Sequence, residues 1–434
     1  MCGNPAGRTF FRSVAMSWLS AQWNQVRTEG SPALLRKISV ALAAGINAIW
    51  IIPCLIVIRV LRPWLLVRMG TLISERSGHF IIDAALYLAQ STRPSPGPRT
   101  IDLFWFREPT CNDQWARMVR RQLTARWWVR YLIFFNRLIP GGASHNLPST
   151  NGSRDIDGIL PRSTSRFAFS TDEENAAKAW LRRRGWQEGQ PFICLLVRDS
   201  AYLSSHPLHT TAGHDHTTRH NHRDTDINAY VEAVQSLVDR GNWVIRMGKI
   251  ACQHFPLDHQ RVIDYPFVDD QDDLLDIWLS ANCSLFVSTG TGIDAAPMVY
   301  NRPVIFVNYL PLSHVCSYAN CTVVPKNLHW KKNDRLLTLK ENLRHGHLAA
   351  QQYEQAGIAI EDLTSVEINA AVMEGVQRLD GTWVETTNNR ARQIRFWQTL
   401  TAWPDFHKLH GYIHPEARVG SAWLKSMGDA FLEQ

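Results

Sequence analysis

A chain of 434 residues, 45% apolar and 20% charged, has ordinary globular usage and exceeds one compact core, which excludes a disordered polymer and a one-domain module. Its formal charge of +7 favours anionic partners such as nucleotide sugars, phospholipid head groups or polyphosphates. Zinc-finger spacing, basic repeats and RNP-like aromatic motifs are absent, which argues against nucleic acid.

The first element is an apolar run from Ile38 to Val60, weakened by Gly45, Asn47 and Pro53 and closed by Arg59. Its length suffices to cross a bilayer. Arg27, Arg36 and Lys37 precede it and Arg59, Arg62 and Arg68 follow, so charge sets no orientation. It starts late and lacks a cleavage site, unlike a removable signal peptide. Three readings stay open: an interfacial helix or monotopic hairpin, a true span, and a buried core helix. Either membrane reading leaves the remaining chain in the cytoplasm, at the inner face of the membrane.

Residues 63–70 then read as a buried strand, Ser77-Gly78-His79 opens an apolar helix from Phe80 to Gln90, and Ile101 to Phe106 is a second strand. Asn112 suits the N-cap of a helix running to Leu123. The Gly-, Ser- and Pro-rich stretch 141–165 has the composition of a hinge. Beyond it, Thr171 starts a helix with an acidic first turn, and FICLLV (192–197) is a strand. A helix over Asp226–Arg240 carries Ile227, Tyr230, Val231, Val234 and Leu237 at helical spacing. Strands follow at Trp243–Arg246, Ser284–Ser288 and Pro303–Asn308, with helices at Asp273–Ala281, Ile293–Tyr300 and Ser365–Leu379. Strands alternating with helices predict α/β architecture with a parallel, doubly wound sheet.

The sharpest local feature is the turn Ser288-Thr289-Gly290-Thr291-Gly292, where a buried strand leads directly into a helix. Glycines admit close approach of backbone to phosphate, and a helix N-terminus offers free N–H groups. Ser288, Thr289 and Thr291 add hydroxyls. Asp294 in the first helical turn competes with a phosphate there, and a plain strand-to-helix turn has the same pattern. Arg198 and Arg246 stand at strand ends and Arg223 nearby, where a planar guanidinium grips a diphosphate and offsets leaving-group charge. Structural salt bridges are the alternative, since Arg198-Asp199 and Arg223-Asp224 are adjacent opposite charges.

The ordered set Arg198-Asp199-Ser200-Ala201-Tyr202, Arg223-Asp224, Asp226-Ile227-Asn228-Ala229-Tyr230, Val244-Ile245-Arg246-Met247-Gly248, Ile263-Asp264-Tyr265, Ser288–Gly292 and Pro303-Val304 resembles bacterial glycosyltransferases of surface polysaccharide synthesis. The resemblance covers roughly residues 65 to 430. It implies a GT-B-like fold: two Rossmann-like domains facing a cleft, with the donor nucleotide on the C-terminal one. It also implies that His79 reaches the cleft to orient or deprotonate an acceptor hydroxyl. The His-rich loop 204–222 and Asp294 depart from the family pattern.

Two features point elsewhere at first sight. Histidines at 206, 209, 214, 216, 220 and 222 suggest metal, but the intervening glycine and threonines fit a flexible loop better. The acidic run 269–273 resembles a metal-binding DxD element, but it directly precedes an apolar-periodic helix, whose N-terminus favours carboxylates.

The expected organisation is a membrane-associated or interfacial segment (1–62), a Rossmann-like acceptor domain (63–165), a nucleotide-sugar donor domain (166–385) and a helical segment (386–434) packing back across the domain junction. The expected activity is metal-independent transfer of a sugar, hexosyl or deoxyhexosyl, from a UDP- or GDP-sugar to a glycan or lipid-linked acceptor, with no cofactor. Arg198, Arg223, Arg246 and Ser288 to Gly292 would bind the donor; His79, Asp199, Arg198 and Arg246 would serve catalysis. A nucleotide-sugar epimerase or hydrolase, and a non-catalytic membrane-associated glycan- or polyanion-binding protein, are the competing readings.

Overall fold

The computed structural model describes residue 27 and residues 30–91, 98–147, 152–201 and 221–433. Most of the His-rich loop, and Tyr202, lie outside them. The chain forms two compact units that interleave in sequence: 1–71, 96–105 and 125–148 make the first, and 72–95, 106–124 and 149–434 the second.

The first unit holds the helix Ser31–Leu61, most of a three-stranded sheet in the order β1 (Leu65–Leu72), β2 (Arg99–Phe106), β3 (Thr124–Ala125), and the helix Val129–Asn136. The long helix contains Pro53 without a break and runs seven residues further towards the N-terminus than the apolar stretch. Its Ile51 and Leu55 are fully buried with Met69, Val129, Tyr131 and Leu132.

The second unit is built on a seven-stranded sheet. Its strands are β4 (Phe192–Leu196), β5 (Trp243–Arg246), β6 (Val262–Asp264), β7 (Leu285–Ser288), β8 (Val304–Tyr309), β9 (Cys321–Pro325) and, after a separate small sheet, β13 (Arg418–Val419). All neighbours pair in parallel in the order β13-β9-β8-β7-β4-β5-β6. From β4 the chain proceeds outward through β5 and β6, then returns to β7 and proceeds the other way. That is the doubly wound α/β order, and β4/β7 is its switch point. Runs such as FICLL and LFVS are buried along their whole length, as strands covered on both faces must be.

Helix Ser365–Leu379 packs on β7, β8 and β9. Gly375 allows this approach, because a Cβ there would stand 2.1 Å from Ile305 Cδ1. Helices Ser77–Ser91 and Asp113–Gln122, expected within the 63–165 domain, also pack in this unit: Trp115 Nε1 donates to the Phe80 carbonyl and its ring meets Phe167. The Asp226–Arg240 helix is instead a 3₁₀ turn, Ile227–Tyr230, followed by a helix, Val231–Asp239.

Missed in the sequence was the small antiparallel sheet β11 (Arg335–Leu336), β10 (Asn327–Trp330), β12 (Ile358–Glu361). Residues 152–165 of the expected hinge are pinned rather than loose. The buried Asp155 carboxylate accepts from the amides of Ile159 and Leu160, and Arg154 donates to the carbonyls of Leu409, His314 and Val315. Cys316 and Cys321 are buried free thiols with sulfurs 3.2 Å apart.

Candidate active site

At the switch point, Leu196 pairs in register with Ser288. Past that pair the two strand ends are tied together: Thr289 N donates to the Leu196 carbonyl (3.2 Å) and Arg198 N donates to Thr289 Oγ1 (3.0 Å). Gly290 takes φ +84°, and a Cβ there would stand 3.1 Å from the Tyr309 ring, so the turn needs glycine on both counts.

The turn's polar groups are largely satisfied from within. The carboxylate of Asp294, 2% exposed, accepts from Ser288 Oγ at 2.6 Å, from Thr291 N, and from Thr291 Oγ1 at 3.3 Å. Gly290 N donates to Ser288 Oγ. Burial pushes the Asp294 carboxyl up to about 6, against the opposing pull of these hydrogen bonds. The hydroxyls of Ser288 and Thr291, expected to face a phosphate, therefore donate to a carboxylate of their own chain, and that of Thr289 serves Arg198. Of this turn, Thr291 and Gly292 line the adjoining pocket.

That pocket holds about 300 Å³, and Arg198, Arg223, Asp199, Lys249, Asn112 and Gly292 are among its walls. Arg223 Nη2 donates to the Gly290 carbonyl; burial, then the neighbouring Arg198, lower its pKa. Arg198 Nε donates to Asp224 Oδ1 at 2.9 Å. Behind Asp224, the buried Lys326 donates to its carbonyl and to Asp362 Oδ1 at 2.6 Å, so the Arg198 carboxylate partner is itself held in place.

Arg246 is elsewhere. It is 2% exposed, and its Nη1 donates to the Gln253 carbonyl (2.6 Å) and to Asp264 Oδ1 (3.1 Å), its register partner on β6. Asp199 Oδ2 is 3.9 Å from its Nη2. This corrects the expectation that all three arginines meet one ligand: Arg246 is a buried structural cation and does not line the pocket. Asp199 does line it, with both oxygens bonded to amides, Oδ1 to Ala201 N and Oδ2 to Cys252 N. His79 is also absent from the pocket wall; its Nδ1 meets Ser153 Oγ.

Lys249, Asp276 and Asn112 escaped the sequence reading as parts of the site, whereas the Ser77-Gly78 element was expected at the cleft. Lys249 follows Gly248 just past β5, and its Nζ contacts Asp273 Oδ1 (2.6 Å) and Asp276 Oδ2 (3.6 Å). A search for every cation at a strand end would have found it. The Asp276 carboxyl is buried and raised to about 6 by desolvation, Lys249 pulling the other way. Finally, the N-terminal ends of helices Ser77–Ser91 and Asp113–Gln122 open at the pocket, through Ser77 and Asn112. Ser77-Gly78 lies directly on Gly292, where a Cβ would stand 2.3 Å from Ser77 Oγ and 2.9 Å from Gly78 N.

In the acidic run one carboxylate caps the following helix and others form ion pairs, Asp273 with Lys249 among them. Asp272 accepts from Leu274 N, and Asp270 pairs with Arg183 and Arg184. A larger groove, about 890 Å³ beside Trp403, contains none of the strand-end arginines. Two guanidiniums, an ammonium and the N-terminus of helix Ser77–Ser91 around a pocket at a switch point suit an anionic, diphosphate-like ligand.

No family model matches the chain, and no curated protein does. Among solved structures it is similar to ADP-heptose LPS heptosyltransferase II of E. coli, at 13% identity and TM-score 0.38 over 59% of this chain and 89% of that one. It is also similar to a glycosyl transferase family 9 protein of Veillonella parvula, at 8% and 0.39 over 60% and 86%. A third is heptosyltransferase WaaC of E. coli with ADP, at 11% and 0.30 over 59% and 90%. These are faint likenesses of fold.

Proposed function

We propose that the protein is a GT-B-like glycosyltransferase that moves a sugar from a nucleotide diphosphate-sugar to a glycan or lipid-linked acceptor at the cytoplasmic face of a membrane. The observation that supports this best is the convergence of Arg198, Arg223 and Lys249 on one pocket at the β4/β7 switch point. Arg198 and Arg223 hold the diphosphate and absorb the charge that develops on the leaving nucleotide. The N-terminus of helix Ser77–Ser91 adds backbone donors.

Three cationic side chains supply the charge that a divalent ion otherwise brings, so transfer proceeds without metal. Arg246 acts as a positioning residue through Asp264 and Asp199. His79, its ring set by Ser153, receives the proton of the acceptor hydroxyl.

The test is release of nucleoside diphosphate from UDP- and GDP-sugars, with and without a glycolipid fraction, in EDTA. Release that requires the acceptor fraction and survives EDTA supports the proposal. Conversion or cleavage of donor alone favours an epimerase or hydrolase, and no turnover with any donor favours a binding protein.

A further inference from the structure

The first unit has an unusual balance of charge. Among its described residues are ten arginines and lysines (27, 36, 37, 59, 62, 68, 99, 126, 130 and 137) and a single carboxylate, Asp102, which Arg68 engages through two hydrogen bonds of 2.7 and 2.6 Å. The same unit exposes large apolar side chains along the Ser31–Leu61 helix, Ile49 at 77% among them, and beyond it at Trp64 (71%), Trp127 and Leu138. A soluble surface rarely presents so much apolar area in one place. Cations set among exposed tryptophans match the head-group layer of an anionic leaflet; Arg130, for example, lies over Trp127 and Tyr131.

The helix is also tethered along its C-terminal half. Ala44, Ile51, Leu55 and Ile58 pack into the unit's own core. Trp50 meets Trp128 edge to face. Arg59 donates to Asn136 Oδ1 (2.8 Å) and to the Pro140 carbonyl (3.1 Å). Residues 31–43, which precede this tether, rise only roughly 20 Å at 1.5 Å per residue, short of the about 30 Å of a bilayer's hydrocarbon. A full crossing would drag the core and the Arg59 cluster into lipid.

We propose that the first unit is a monotopic membrane anchor: the Ser31–Leu61 helix lies within one leaflet with its exposed apolar face submerged, and the surrounding arginines bind anionic phospholipid head groups. This deepens the membrane part of the proposed function and is independent of its donor chemistry.

The experiment uses the full chain with an N-terminal epitope. In flotation, it binds vesicles of phosphatidylglycerol and phosphatidylcholine, and binding falls at least tenfold with pure phosphatidylcholine or at high salt. In inverted bacterial membrane vesicles, added protease removes the epitope; a protected epitope would show a span and overturn the proposal. Ile49→Glu with Ile56→Glu abolishes flotation while the thermal shift with nucleoside diphosphate is unchanged, which separates this proposal from the donor site. Should that variant not fold, Arg62→Glu with Arg137→Glu keeps the helix and reduces binding to anionic vesicles alone. Failure of the wild-type chain to float, or a discrete dimer that does not float, means that protein covers this face and contradicts the proposal.

Discussion

The hydroxyl of Thr289 accepts a hydrogen bond from the backbone amide of Arg198 at 3.0 Å. It joins the residue after β7 to the residue two past the end of β4, across the switch point. The position of the Arg198 guanidinium therefore depends on a threonine that does not line the pocket. Thr289→Val keeps the shape and leaves the half-buried Arg198 amide without its acceptor. It is expected to cost about 1–3 kcal/mol in urea unfolding and to weaken nucleoside diphosphate binding, read by calorimetry.

The arginines separate by role. Arg246→Ala strands Asp264 and removes a buried cation, so stability should fall by about 3–5 kcal/mol, seen as a lowered unfolding midpoint. Arg198→Ala and Arg223→Ala should leave the midpoint far less changed and lower turnover about 100-fold or more, as loss of a group that stabilises transition-state charge does. Equal effects of all three on stability and turnover would contradict this division.

Asp294 gives a pH signature. Its carboxyl is raised to about 6 from an ordinary 3.8, so the folded chain binds the extra proton. Its contribution to stability is full below about pH 4 and is lost as pH rises through about 6. His314 and His410 are lowered to about 4 by burial and act in the opposite sense over the same range. The readout is therefore wild type minus Asp294→Asn: the difference in unfolding free energy should grow as pH falls from 7 to 5. A constant difference would mean that the carboxyl is not raised.

The glycine contact is testable by a double-mutant cycle. Gly292→Ala places a methyl 2.3 Å from Ser77 Oγ and should destabilise by about 1–3 kcal/mol. Ser77→Ala removes that oxygen and should restore part of the loss, a coupling of about 0.5 kcal/mol or more.

The parts that the sequence made legible are those written in local periodicity. Strands β4, β5, β7 and β8 are short apolar runs, and their alternation with helices implied the doubly wound sheet. Glycines 290 and 292 marked the turn at its switch point. Direction was not legible: nothing in Trp243–Arg246 says that Arg246 turns towards Asp264 rather than the crevice, and nothing in the turn says that Asp294 folds back onto Ser288. Long-range pinning was hidden too, since the hinge-like composition of 152–165 carries no sign of the carbonyls at 314, 315 and 409 that hold Arg154. Strands β10 and β12 are as short as β5 and β7 but mix polar and apolar residues, NLHW and IAIE, and are buried at one position each, so no apolar run marks them.

The most direct measurement is the unfolding midpoint of the full chain with UDP, GDP, ADP and CMP, because a ligand that binds only the folded form raises it. UDP or GDP near 100 times its dissociation constant should stabilise by about 2.7 kcal/mol and raise the midpoint by several degrees, and Arg198→Ala with Arg223→Ala should abolish the rise. No rise with any nucleoside diphosphate, or one that survives loss of both arginines, would contradict a diphosphate pocket at this switch point.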